Sequence, residues 1–176
     1  MHILGLQKTT LLDYPGKVAS TIFTGGCNFR CPYCHNSDLV LVPDDAMAYS
    51  MEDIFKHLND KKKVLDGVCI TGGEPTLHKD LPEFIRIIKD MGLLVKLDSN
   101  GTNPDMMHKL IDNKLVDYIA MDIKHSKAKY NDIACMKVFD IAPIEESVSL
   151  LLQNKVDYEF RTTIMKECHN TSDMEA

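Results

Sequence analysis

A chain of 176 residues in which 44% are hydrophobic and 26% charged has the material for one sizeable core and is not a disordered polymer. Its 20 lysines and arginines face 26 aspartates and glutamates, a net charge of −6, whereas a general nucleic-acid binder wants a basic face. No apolar run approaches a membrane span and no signal-peptide core precedes a cleavage site. The chain is therefore expected in the cytoplasm, where thiols stay reduced and grouped cysteines signify metal binding or catalysis.

The first predicted strand is VASTIFTGG (18–26). It runs into Cys27-Asn28-Phe29-Arg30-Cys31-Pro32-Tyr33-Cys34, with three cysteines at C-x3-C-x2-C spacing. Three thiolates so close on one loop suit one soft metal centre. Fe–S clusters usually take four cysteines. With three, a 4Fe–4S cluster keeps one iron without a protein ligand, open to an exogenous one, which marks a reactive cluster rather than a wire for electrons. The rival reading is a Cys3His zinc site built from Cys27, Cys31, Cys34 and His35, and with it a non-catalytic, zinc-stabilised interaction module. Adjacent residues such as Cys34 and His35 rarely reach one ion together, and no second C-x2-C occurs. Of the other cysteines, Cys69 in the run VCI reads as a small buried hydrophobe, and Cys135 and Cys168 have no spacing partner.

Strands and helices then alternate. Ser50 caps a helix to about residue 63, with Asp53 in a capping-box-like position and Ile54, Phe55 and Leu58 on one face. LDGVCITGG (65–73) is the second strand. Gly72 and Gly73 at its end let the backbone approach a ligand closely, and Glu74 can accept a hydrogen bond from an ammonium group, although a Gly-Gly pair alone is more often just a turn. Asp80 and Glu83 open a helix that buries Leu81, Phe84, Ile85 and Ile88 and stops near Gly92. LLVKLDSNG (93–101) is the third strand, and Asn103-Pro104 begin a helix with Met107, Leu110 and Ile111 inward. VDYIAMDIK (116–124) is the fourth strand, followed by a longer connection, 125–140. Pro143 starts a helix with Val148, Leu151 and Leu152 inward, and VDYEFRTTIM (156–165) is the fifth strand. Ser172 then reads as a cap, with Glu175 three residues on.

Uninterrupted alternation predicts a parallel sheet with right-handed crossovers. The cysteine loop, Gly72-Gly73-Glu74, Asp98-Ser99-Asn100, Asp122-Ile123-Lys124 and Arg161 all fall at C-terminal strand ends, the rim on which barrel-type folds build active sites. A full barrel takes roughly 250 residues, and this chain has room for about five units. The expected fold is α/β, one domain over 1–176, a partial (open) TIM-like β/α barrel with parallel strands. A helix start followed at once by the last residue carries the expectation of a chain truncated after the fifth strand, with a frayed tail as the alternative.

The cysteine loop with Gly72-Gly73-Glu74 resembles the radical S-adenosylmethionine (SAM) superfamily. Asp98-Ser99-Asn100-Gly101 is similar to the D-[ST]-N-G segment, and Asp122-Ile123-Lys124 to the D-x-K segment, of its glycyl radical enzyme activating enzymes. The stretch GLQKTTLLDYPGKVASTIFTGGCNFRCPYCHN resembles the activating proteins of anaerobic ribonucleoside-triphosphate reductases in particular. The resemblance implies a 4Fe–4S cluster on Cys27, Cys31 and Cys34, with SAM on its open iron. Reductive cleavage to a 5′-deoxyadenosyl radical then makes a glycyl radical on a partner, anaerobic ribonucleotide reductase, with an electron donor such as flavodoxin or ferredoxin. It further implies that Gly72, Gly73 and Glu74 hold the methionine amino group and that Tyr33 packs on adenine. One carboxylate of Asp98-Ser99-Asn100 or Asp122 would bond the ribose, while Lys124 and Arg161 meet the cofactor carboxylate as a point charge and a fork.

Without the resemblance Tyr33 reads as core filling, and Lys124 and Arg161 as ordinary strand-end charges. Asp98 and Asp122 on neighbouring strands also suggest a Na+ or K+ site; the alternative is one aspartate on ribose and the other in water. Lys127, Lys129 and Tyr130 in the long connection read either as partner contacts or as a solvated loop. The second functional reading is an enzyme of the same superfamily acting on a small molecule, as deazapurine-forming synthases do. That reading wants a closed polar pocket, whereas an open barrel suits a peptide loop.

Overall fold

The computed structural model describes residues 1–43 and 46–175. Six strands form one sheet in chain order: β1 (Ile3–Thr10), β2 (Ala19–Thr24), β3 (Gly67–Gly72), β4 (Leu94–Ser99), β5 (Tyr118–Asp122) and β6 (Asp157–Arg161). Strands β2 to β6 are parallel throughout. The order never reverses, as it would in a doubly wound sheet; each unit adds a strand beside the last, as in a barrel. The sheet stays open, with β1 and β6 at its edges, so the architecture is the expected partial barrel.

Strand β1 corrects the all-parallel expectation, because it pairs antiparallel with β2. Its sequence, ILGLQKTT, buries only its two end residues, Ile3 and Thr10, and exposes Gln7, Lys8 and Thr9. An edge strand of this kind lacks the alternation that marks a half-buried one, and its identity comes from its partner.

The strands have two chemically different faces, because successive side chains point to opposite sides. One face carries Ile22, Val68, Ile70, Val95, Leu97, Ile119 and Met121, all 0% exposed, in register across the sheet. These residues join the apolar sides of the helices in one core. The other face carries Thr21, Cys69, Lys96, Asp98 and Asp122, a polar lining for the inside of the open barrel.

Helices α1 (Met51–Lys61), α2 (Leu81–Asp90), α3 (Pro104–Asp112) and α5 (Ala142–Leu151) alternate with the strands as predicted. Ser50 caps α1 by accepting from the Asp53 N–H at 3.0 Å, and Asn103 caps α3 by accepting from the Met106 N–H at 3.2 Å. Asp80 precedes α2 without capping it; its carboxylate instead pairs with the N-terminal ammonium. The long connection is folded rather than loose. A 3-10 turn (Lys127–Lys129) leads into α4 (Tyr130–Ala134), where Tyr130 is 2% exposed and stacks on Phe139. Tyr130 is thus a core residue and not a partner contact, and Lys127 and Lys129 pair with Glu145 and Asp173. Leu152, expected inward, follows the end of α5 and is 56% exposed. Ser172 lies inside α6 (Thr171–Glu175), where Asn170 Oδ1 accepts from the Asp173 N–H at 3.1 Å and does the capping. Among the described residues no helix is long and apolar enough to cross a membrane.

Candidate active site

All the parallel strands end on the same rim, and a cavity of about 340 Å³ lies there, within the range of about 300–1,000 Å³ typical of ligand sites. The residues expected to hold the cluster and its cofactor line it: Cys27, Cys31, Tyr33 and Cys34 from the loop after β2, Gly72 ending β3 with Gly73 and Glu74 after it, and Asp98, Ser99 and Asn100 at the end of β4. Asp122 at the end of β5, Lys124 just beyond it and Arg161 at the end of β6 complete the set.

The cysteine loop is held by backbone and side-chain bonds that spacing does not reveal. Arg30 folds back to donate to the carbonyls of Cys27 and Phe29. His78 Nε2 donates to the Gly25 carbonyl at 3.0 Å. The segment at Gly73 lies directly against the loop: its N–H groups at Gly73 and Glu74 donate to the carbonyls of Thr24 and Gly26, both at 2.8 Å. A Cβ on Gly73 would sit 2.0 Å from the Gly26 carbonyl oxygen, so only glycine permits this approach.

All three cysteines are free thiols, partly buried. Burial pushes the Cys27 thiol up to about 11, and burial raises Cys31 too, against the pull of Lys124. Neither is a ready thiolate nucleophile, which would need a lowered pKa; a bound metal ionises such thiols by displacing their protons. Among the described residues no three His, Cys, Asp or Glu side chains converge closely enough to share one metal ion. Three thiols lining one cavity suit a cluster in which each meets a different iron.

Glu74 is 1% exposed. Its Oε1 accepts from the Thr76 N–H at 3.1 Å, from the Thr76 hydroxyl and from the Ser99 hydroxyl at 2.9 Å, and its Oε2 from the Asn100 N–H at 2.6 Å. Burial drives its pKa upward and these donors oppose the rise. The carboxylate thereby ties the end of β3 to the end of β4 while facing the cavity.

A ladder of charges crosses the inner face. Lys96, only 1% exposed, pairs with Asp98. Arg161 reaches Asp98 Oδ2 at 3.4 Å and Asp122 Oδ1 at 3.1 Å, and Lys124 Nζ reaches Asp122 Oδ2 at 3.0 Å. Asp98 and Asp122, expected to hold Na+ or K+, are thus already paired with the protein's own cations. The guanidinium of Arg161 stands between the two carboxylates, and Lys96 and Lys124 take their remaining oxygens. Lys96 was legible as the one charge inside the run LLVKL, but not its direction.

Behind Tyr33 stand two residues the sequence reading missed. Tyr33 lies with its ring centroid 6.2 Å from that of His169. His169 stacks on His125 at 4.7 Å and donates from Nε2 to the Lys124 carbonyl at 3.0 Å, which pins residues 165–170 to the end of β5. Two isolated histidines carry no pattern that would have shown this.

Residues 21–168 match the model of the Radical SAM superfamily. A protein of Methanocaldococcus jannaschii named among the glycyl-radical enzyme activating enzymes is 37% identical over 98% of this chain and 72% of its own length. This chain belongs to the radical SAM superfamily. Within it, the relatives place the chain among the glycyl-radical enzyme activating enzymes, and it is an enzyme. The pyruvate formate-lyase-activating enzyme of Staphylococcus aureus is 29% identical over 70% of this chain and 53% of its own length. The chain therefore spans about half to three-quarters of these relatives. Among solved structures, QueE from Escherichia coli shares the fold at 14% identity, with a TM-score of 0.53 over 92% of this chain and 94% of its own. The structure of anSMEcpe with bound AdoMet does so at 22% identity, with a TM-score of 0.55 over 78% of this chain and 40% of its own. Family membership implies a 4Fe–4S cluster and SAM, and the free thiols, the glycine approach and the open cavity fit both.

Proposed function

We propose that this chain is an activating enzyme that generates a glycyl radical on an anaerobic ribonucleotide reductase. One observation carries the reading: three thiols, a glycine-lined backbone edge and a ladder of cations face one cavity at the rim of an open barrel. A bound cluster and SAM would supply the one-electron, hydrogen-abstracting chemistry that acts on the target glycine. The chain's own residues bind and orient. Cys27, Cys31 and Cys34 would hold the cluster. Gly72 and Gly73 bring the backbone edge against the cysteine loop, and Glu74 keeps capacity on Oε2 for the methionine ammonium. Three cations on two carboxylates leave the ladder one positive charge in excess, which suits the cofactor carboxylate. Tyr33, backed by His169, offers a face for adenine.

The choice of partner rests on the opening segment from Gly5 to Asn36, and the open edge of the barrel suits a peptide loop. The electron comes from a low-potential carrier such as flavodoxin or ferredoxin, in the cytoplasm. The experiment is to reduce the reconstituted chain with SAM and the reductase without oxygen. A glycyl radical signal and stoichiometric 5′-deoxyadenosine are expected; 5′-deoxyadenosine without a radical on any of several reductases would favour a small-molecule substrate.

The cradle gives a graded prediction. Lys124→Ala and Arg161→Ala each remove a charge-assisted contact worth ~1.5–3 kcal/mol. SAM affinity should fall roughly ten- to a hundredfold with iron content unchanged. Isothermal titration of the reconstituted protein checks this, and unchanged affinity in both variants contradicts the placement.

A further inference from the structure

Asn28, Asn100 and Thr102 close a ring of hydrogen bonds beside Cys27. Asn100 Nδ2 donates to Asn28 Oδ1 at 2.8 Å, Asn28 Nδ2 to Thr102 Oγ1 at 2.8 Å, and Thr102 Oγ1 back to Asn100 Oδ1 at 2.7 Å. Asn100 Oδ1 also accepts from the Thr102 N–H at 3.0 Å, and the Asn100 N–H is held by Glu74. With two donors on its oxygen, the orientation of the Asn100 amide follows from the network: its nitrogen must face the cysteine loop. One Nδ2 hydrogen serves Asn28. The other is directed at Cys27 Sγ, 3.9 Å away. The same sulfur accepts from the Phe29 N–H at 3.4 Å. Asn100 is 6% exposed, so bulk water does not compete for that hydrogen.

We propose that this ring is a positioning device that locks Asn100 as a hydrogen-bond donor to the Cys27 sulfur and thereby sets the reduction potential of the cluster. The inference rests on the assignment of a cluster to Cys27. A donor to a ligating sulfur stabilises the more negative, reduced state, and hydrogen bonds to sulfur are among the levers that set cluster potentials. Every valence of the Asn100 amide is used, so the donor cannot rotate away without breaking the ring. The residues it joins are 72 to 74 positions apart, which makes the ring also a tie between the cysteine loop and the end of β4.

The test uses the full chain reconstituted without oxygen, with iron and sulfide counted and the potential read by titration followed by electron paramagnetic resonance. Asn100→Leu should keep its iron while its one-electron reduction constant falls about tenfold, 59 mV lower. Thr102→Val, which leaves Asn100 in place and opens the ring, should shift the potential in the same direction by less, and Thr102→Ser should restore it. An exchangeable-proton coupling at the reduced cluster should vanish in Asn100→Leu. Full iron with an unchanged potential in Asn100→Leu overturns the inference. Should Asn100→Leu fail to fold, the Thr102 pair decides: a shift that serine reverses supports the ring, and no shift refutes it. A wild-type chain that takes up no iron overturns the cluster assignment and this inference with it, whereas the other negative results overturn the inference alone.

Discussion

Replacing Cys27, Cys31 or Cys34 by alanine should abolish the cluster, taking iron from about four per chain to near zero. On this assignment each thiol is one of three protein ligands, so the loss of any one leaves the cluster with two. Cys69→Ala, Cys135→Ala and Cys168→Ala should retain full iron. Cys69 is 0% exposed on the inner face under Lys96, with its thiol pushed far up by burial. Cys135 is exposed and bonded to the Asp132 carbonyl, and Cys168 stands beyond the His125 contact. Iron and acid-labile sulfide analysis of the six variants checks the division. Full iron retention in Cys31→Ala would sink the ligand set.

Gly73→Ala should be nearly as damaging by a different route. The added carbon would meet the carbonyl oxygen of Gly26 at 2.0 Å and its carbonyl carbon at 2.6 Å. Both are backbone atoms, so no flexible side chain can give way. Overpacking of this kind costs about 3 kcal/mol, which lowers the melting temperature of a chain this size by roughly 6–12 °C. The displaced segment also carries Glu74 and faces the cavity, so SAM should no longer perturb the cluster. Gly16→Ala is the control. Gly16 has φ +69 and nothing within 4 Å of an added carbon, so it should cost only the left-handed penalty, about 1–2 kcal/mol, and leave SAM binding intact. Equal melting temperatures and SAM responses for the two variants would show that the close approach is not needed.

The parallel strands and the cavity-lining residues were legible because they rest on local signals. Apolar runs ended at glycines or at an aspartate, and a parallel sheet carries all those ends to one rim. The cysteine loop needed only spacing. What was not legible depends on distant partners. Strand β1 is defined by its pairing with β2, and its own residues show no period. The connection 125–140 hides α4 because five residues are too few for a helical pattern. Asp98 and Asp122 were read as needing an added cation because Arg161 and Lys124 had been assigned to the cofactor and Lys96 was overlooked. In three dimensions the protein's own cations reach both carboxylates. The ring at Asn100 joins residues more than seventy positions apart, and no spacing rule connects them.

The most direct measurement is the electron paramagnetic resonance spectrum of the anaerobically reconstituted, reduced chain before and after SAM is added. An open iron beside Cys27, Cys31 and Cys34 predicts a 4Fe–4S signal whose shape changes when SAM binds, with release of 5′-deoxyadenosine on turnover. A stable cluster signal that SAM leaves unchanged at saturating concentration, with no 5′-deoxyadenosine formed, would contradict it.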